Sequence, residues 1–167
     1  MEEKFTKISD EKVYNRAMEL LSERGVTVRD IADIVYLLQS KYFPEITVED
    51  CIHHINKVLK KREVQNAIIT GIELDKLAEK KLLESPLQEM LYQDEGLYGI
   101  DEVISLSIVN VYGSIGFTNY GYIDKIKPGI LEKLNNHENG QVNTFLDDIV
   151  GAIAAAASSR IAHNVGT

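Results

Sequence analysis

The chain has 167 residues, 44% of them hydrophobic, with 18 basic against 26 acidic side chains and a formal net charge of −8. That length fits one domain with a sizeable core. The acidic balance argues against a nucleic-acid partner and against broad contact with an anionic membrane, because both reward concentrated positive charge.

Helix signals run through the whole chain. Ser9 is placed to cap a helix carrying Val13, Ala17, Leu20 and Leu21, with a stop near Gly25. Thr27 caps a second, with Ile31, Ile34, Val35 and Leu38 at helical spacing and an end at Phe43-Pro44. Thr47-Val48-Glu49-Asp50 is a capping-box pattern with Asp in place of Glu, and its helix is expected to continue through Lys57, Lys60, Lys61 and Arg62. Residues 64–83 read as the next helix, with Ile68, Ile72 and Leu77 inward. Ser85-Pro86 reads as an N-cap followed by a first-position proline, opening a short helix over 87–92.

Gln93-Asp94-Glu95-Gly96 is turn-like. Residues 100–116 are apolar nearly all round and read as a buried central helix. Asn119-Tyr120-Gly121 reads as a turn, and Lys127-Pro128-Gly129 opens a short helix reaching Leu134. A polar loop over 135–140 leads to a last, alanine-rich helix capped by Asn143 or Thr144. Strict alternation over a strand's length is absent. The expectation is an all-α single domain over 1–167, with seven or eight helices around 100–116.

The lone Cys51 has no partner for an internal disulfide, and the start MEEKFTKISDEK lacks a signal-peptide pattern. The weakly charged stretch 103–123 is interrupted by Asn, Gly, Ser and Thr, and 149–160 is too short to span a bilayer. A cytoplasmic protein is expected, with membrane contact at most peripheral, at the inner face.

Two acidic doublets, Asp101-Glu102 and Asp147-Asp148, stand inside apolar helical runs. Acids favour helix N-termini, which accounts for one exposed carboxylate at each. Two adjacent acids point about 100° apart, so both cannot serve one polar face. Burying ionised carboxylates is costly without a compensating cation. Oxygen ligands from several helices suit a hard divalent cation, Mg²⁺ first. If the two helix starts converge, their backbone N–H groups also suit phosphate. Asp124 alone is an ordinary loop acid, and Lys125 and Lys127 beside it are either solvated or phosphate contacts. Glu73, Asp75 and Glu79 are expected on a polar face, with one of them in reach of the site. Lys60, Lys61 and Arg62 are expected to be solvated, with a phosphate headgroup as the alternative. His53-His54 and Cys51 form a weak soft-metal pattern. No nucleophile motif stands out, which favours metal-activated water over a covalent intermediate.

Three segments keep a shared order and spacing: Asp94-Glu95-Gly96-Leu97-Tyr98-Gly99-Ile100-Asp101-Glu102, then Asp124-Lys125-Ile126-Lys127-Pro128, then Asp147-Asp148-Ile149-Val150-Gly151-Ala152. Together they resemble the phosphatidylglycerophosphatase A family, which reads Asp-Pro-Gly-Ser-Ile-Val-x-Asp-Glu, Asp-x-x-Lys-Pro and Asp-Asp-Ile-Val-Ala-Gly. The resemblance covers 64–163 as a family-like core and leaves 1–63 as divergent helices. It implies Mg²⁺-dependent removal of the terminal phosphate from phosphatidylglycerophosphate. It assigns metal-binding roles to Asp101, Glu102, Asp124, Asp147 and Asp148, with Asp101, Glu102 and Asp148 also catalytic. Lys127 inherits a phosphate contact, with Lys125 beside it; Asp94 has a lesser claim, and Asp75 a lesser one still.

The chain departs from the family in lacking hydrophobic spans and a Pro-Gly-Thr-x-Gly-Ser loop, and in carrying Gly121 where the family has Arg. It therefore resembles a soluble branch acting on a phosphorylated small molecule or a phospholipid headgroup. Two rivals stand beside this reading. One is an all-α nucleotide pyrophosphohydrolase, for which only Asp30-x-x-Asp33 speaks. The other is a helical binding or assembly protein with a decayed site, in which the alanine run 152–157 packs against a second copy in a homo-oligomer. A core role accounts for that run equally well.

Overall fold

In the computed structural model, which describes residues 6–136 and 140–164, side-chain caps set the starts of the first three helices. Helix α1 (Asp10–Glu23) begins where Ser9 Oγ accepts from Lys12 N, and it buries Val13, Ala17, Leu20 and Leu21. Helices α2 (Val28–Gln39) and α3 (Val48–Leu59) each open on a complete capping box, Thr27 with Asp30 and Thr47 with Asp50. The other helices are α4 (Arg62–Glu79), α5 (Leu87–Tyr92), α6 (Ile100–Val109), α7 (Ser114–Ile126), α8 (Ile130–Asn135) and α9 (Leu146–Asn164), with a 3₁₀ turn over Asn110–Tyr112. The all-α, single-domain expectation holds for the described residues. Residues 137–139 of the expected polar loop, the first five residues and the last three lie outside them.

Several boundaries differ from expectation, each for a local reason. Helix α3 stops at Leu59 and α4 starts afresh at Arg62, so Lys60 and Lys61 make a break, not a continuous basic helix. Helix α4 ends at Glu79, short of Leu83. Pro86 itself occupies the N-cap of α5, and Ser85 makes no cap bond. The expected helix over 100–116 is divided: Gly113 takes φ +77°, which residues with a Cβ rarely adopt. Its N-terminal part is not buried all round either, since Ile100 is 49% exposed and Val103 58%. The expected turn at Asn119-Tyr120-Gly121 is the interior of α7, where Gly116, Tyr120 and Ile123 face the core.

The central helix is α9. Every residue from Leu146 to Ser159 is buried. Helices α2, α3, α6 and α7 pack along it, α4 crosses its start, and α1 packs on the outside of α4. The run Gly151-Ala152 to Ser159 is dominated by small side chains, and small side chains allow backbones to approach on all sides. The alanine face is thus filled by the chain's own helices, and the expected close-packing surface for a second copy is not exposed. Helix α4 crosses α9 closely at Gly71, where a Cβ would stand 2.4 Å from Ile149 Cδ1 and 2.9 Å from Phe145 Cβ.

The segment leading into α9 is held by polar contacts from distant helices. Phe145 N donates to both Asp75 oxygens at 3.0 and 3.2 Å, and Leu146 N donates to Asp75 Oδ2 at 3.0 Å. Arg24 donates to Glu79 through both terminal nitrogens, and to Val142 O at 2.6 Å and Asn143 Oδ1 at 2.9 Å. Val142 N donates to Glu79 Oε1, and Thr144 Oγ1 donates to Leu91 O. Asn143 and Thr144 therefore bond elsewhere, and the first amides of α9 are satisfied by a carboxylate from α4. Asp75 is fully buried, not on a polar face.

Gly71→Ala should cost about 1–3 kcal/mol by overpacking this crossing. Asp75→Ala, which leaves two buried amides without acceptors, should cost about 2 kcal/mol or more, and Asp75→Asn less. Denaturant unfolding of the three variants checks both; native-like midpoints would remove the lead-in to α9 as a stability determinant.

Candidate functional site

Helices α6 and α9 start side by side, and α7 ends beside them. Gly99, with φ +70°, turns the chain into α6 and puts Asp101 and Glu102 in its first turn. Asp147 and Asp148 occupy the first turn of α9. Asp124 lies in the last turn of α7, and Lys127 is its C-cap, with φ +45°. All six residues line one cavity of about 220 Å³, together with Asp94, Glu95, Gly96, Gly99 and Asn135.

The five acids singled out in the sequence thus share a cavity, as does Lys127. Lys125 does not line it and is exposed. Asp94 lines it, while Asp75 stands behind it as the acceptor for the start of α9. Glu95 and Asn135 were not singled out, and each looks like an ordinary loop or helix-end residue on its own. Arg24 had no local signal either, because its partners lie up to 119 residues away.

The site is strongly anionic. Its lining carries seven carboxylates and, among the described residues, one ammonium. Asp101, Asp147 and Asp148 are 9%, 6% and 5% exposed, whereas Glu102 is exposed at the mouth. Lys127 Nζ donates to Asp124 Oδ1 at 2.7 Å and to Asp147 Oδ2 at 3.1 Å, and stands 3.8 Å from Asp148 Oδ1. Burial pushes the Asp147 carboxyl above the usual carboxylate range, against the pull of Lys127. Burial raises Asp148 further, reinforced by the neighbouring charges of Asp147 and Asp101. Burial opposes the charge on Lys127, but Asp147 and Asp124 outweigh it and hold its ammonium protonated beyond the ordinary lysine range.

The backbone at the start of α9 does not offer itself to phosphate as the sequence suggests. Phe145 N and Leu146 N are taken by Asp75, Asp147 N by Asn143 O, and Asp148 N by Asp147 Oδ1. What α9 contributes to the cavity is side-chain oxygen and the positive end of its dipole.

The donor set fits a hard divalent cation. It is all oxygen, on three elements, with buried carboxylates that one ammonium leaves undercompensated. In the present side-chain arrangement, no three such groups among the described residues already close around a metal position.

The other candidates lie elsewhere. Asp30 serves the α2 capping box and Asp33 pairs with Arg29, so neither reaches the cavity. Cys51 is fully buried, and burial pushes its thiol up to about 11. Lys60, Lys61 and Arg62 do not line the cavity. Among the described residues, no helix is long and apolar enough to cross a membrane.

Comparison with known proteins bears on the family and the fold. The chain is 65% identical over 148 residues to the uncharacterized protein YutG of Bacillus subtilis, covering 89% of each sequence. Its fold matches the crystal structure of the low temperature requirement C protein from Listeria monocytogenes with a TM-score of 0.93, at 58% identity, over 95% of this chain and 100% of that one. It also matches a protein of unknown function from Bacillus stearothermophilus with a TM-score of 0.88, at 62% identity, over 96% and 97% of the two chains. The sequence profile of phosphatidylglycerophosphatase A matches residues 21–163, reaching well into the N-terminal helices that looked divergent. The chain therefore belongs to the phosphatidylglycerophosphatase A family.

Proposed function

We propose that the chain is a Mg²⁺-dependent phosphoric monoester hydrolase, with phosphatidylglycerophosphate as its substrate and phosphatidylglycerol as its lipid product. One observation carries this reading: Asp101, Glu102, Asp124, Asp147 and Asp148 come from three helices onto one cavity that also holds Lys127, in a chain of this family. Asp30 and Asp33, the basis of the pyrophosphohydrolase alternative, are engaged away from it.

Mg²⁺, when bound, supplies concentrated positive charge for the phosphate and acidifies water. Asp101, Asp147 and Asp148, buried and rigidly rooted in helix starts, are the residues to hold it, with Asp124 beside them. Glu102 is exposed at the mouth and accessible to water, so it is the carboxylate placed to accept the proton of the attacking water. Lys127 offsets negative charge on the transferring phosphate as a point cation. The apolar tails of a lipid substrate stay outside, since a cavity of about 220 Å³ holds a headgroup phosphate and little more.

With Mg²⁺, the purified protein should release phosphate from phosphatidylglycerophosphate vesicles. Asp101→Asn and Asp148→Asn should each lower the rate by about 100-fold or more, matching the several kcal/mol such charge contributes at a transition state. Phosphate release by the wild type no greater than that of the combined Asp101→Asn/Asp148→Asn variant, on lipid and soluble monoesters alike, would end the hydrolase reading.

The buried acids also predict a pH signature. The folded pKa values of Asp147 and Asp148 lie above the unfolded value. Without the metal, the stability these two groups contribute is fully present below about pH 4, the unfolded carboxylate range, and is lost as pH rises through the raised folded values. Mg²⁺ should raise the melting temperature more at about pH 8 than at about pH 5. Asp148→Asn should flatten both dependences. A Mg²⁺ effect independent of pH and intact in Asp148→Asn would place the cation elsewhere.

A further inference from the structure

Lys127 stands among carboxylates of the cavity that would hold a divalent cation. Its Nζ reaches three carboxylates at once, Asp124 at 2.7 Å, Asp147 at 3.1 Å and Asp148 at 3.8 Å. The Asp147 and Asp148 side chains are only 7% and 6% exposed, while Asp124 is 37% exposed, so the ammonium spans buried and open carboxylates. The side chain is delivered from a helix C-cap with φ +45°, a conformation uncommon for residues with a Cβ and usually taken there by glycine. The following Pro128 fixes the exit of the chain.

A divalent cation and this ammonium compete for the same oxygens. Mg²⁺ needs carboxylate oxygens at about 2.0–2.1 Å in near-octahedral geometry. An ammonium on those oxygens would lie a few ångströms from the ion, and the two positive charges would repel across partly buried carboxylates. While Lys127 bridges Asp124 and Asp147, no three carboxylates among the described residues close around a metal position.

We infer that Lys127 is a tethered cation that fills the carboxylate cage of the metal-free protein, is displaced by the divalent cation, and then turns to the phosphate. The inference rests on the Mg²⁺ reading above and adds a coupling to it: one side chain links metal binding to phosphate binding. The stem is anchored at the end of α7, so the displaced ammonium stays at the cavity and the incoming phosphate is its next acceptor. Coupling of this kind is reciprocal, so phosphate must also strengthen Mg²⁺ binding.

Native full-length protein is treated briefly with acetic anhydride in chelator, in Mg²⁺, and in Mg²⁺ with inorganic phosphate, and acetylation at Lys127 is read by mass spectrometry against exposed Lys125. Lys127 should be protected in chelator, become about tenfold more reactive with Mg²⁺, within the usual span of allosteric coupling, and be protected again by phosphate. In calorimetry, Lys127→Met should bind Mg²⁺ about tenfold more tightly than wild type and show a smaller phosphate enhancement. Mg²⁺ binding to wild type with Lys127 acetylation unchanged or reduced overturns this inference alone. Absence of Mg²⁺ binding to wild type overturns it together with the metal reading. The labelling arm uses wild-type protein and stands whether or not Lys127→Met folds.

Discussion

The start of α9 is the constraint on which the rest of the molecule depends. A helix buried along nearly its whole length has no water to satisfy its first amides. Asp75 supplies the acceptors from α4, fully buried itself, and Arg24 with Glu79 clamps Val142 and Asn143 in the approach to the helix. These contacts fix the position and rotation of the first turn. The same turn carries Asp147 and Asp148, so the network that satisfies the backbone also aims the two most deeply buried acids of the cavity. Close packing at Gly71 leaves α4 and α9 little freedom to slide.

A second constraint is electrostatic. Carboxylates this deeply buried do not persist ionised without a compensating cation. The protein provides one ammonium, rooted at the end of α7, against acids from α6, α7 and α9. The arrangement is therefore stable but undercompensated, which is the condition for taking up a divalent ion. The all-oxygen donor set is the chemical ground for the Mg²⁺ proposal, and membership of the phosphatidylglycerophosphatase A family is the ground for a phosphate-ester substrate.

How much of this was legible in the sequence follows the range of the interactions. The caps at Ser9, Thr27 and Thr47 act over three residues, and those helix starts fall where the sequence puts them. The acidic doublets were legible as a local anomaly, charge where apolar neighbours predict burial. The identity of the central helix was not. Hydropathy favours 100–116, but centrality is decided by how closely other helices can approach, and the small side chains of 151–159 allow that on every side. The capping of α9 was also illegible, because Asn143 and Thr144 are good local caps whose side chains are claimed by Arg24 and Leu91 while Asp75 arrives from 70 residues away. Gly121 looks like a turn in isolation and sits inside α7 because Tyr120 and Ile123 bury that helix against α9.

The central claim is that these separated carboxylates form one cation site. A crystal structure of the protein grown with Mn²⁺ as a Mg²⁺ surrogate tests it most directly, through the anomalous signal of the ion. The account predicts a peak bounded by oxygens of Asp101, Asp147 and Asp148, with Lys127 Nζ no longer between Asp124 and Asp147. A fully occupied peak elsewhere on the molecule, or an empty cavity with Lys127 still bridging those two acids at saturating Mn²⁺, would contradict it.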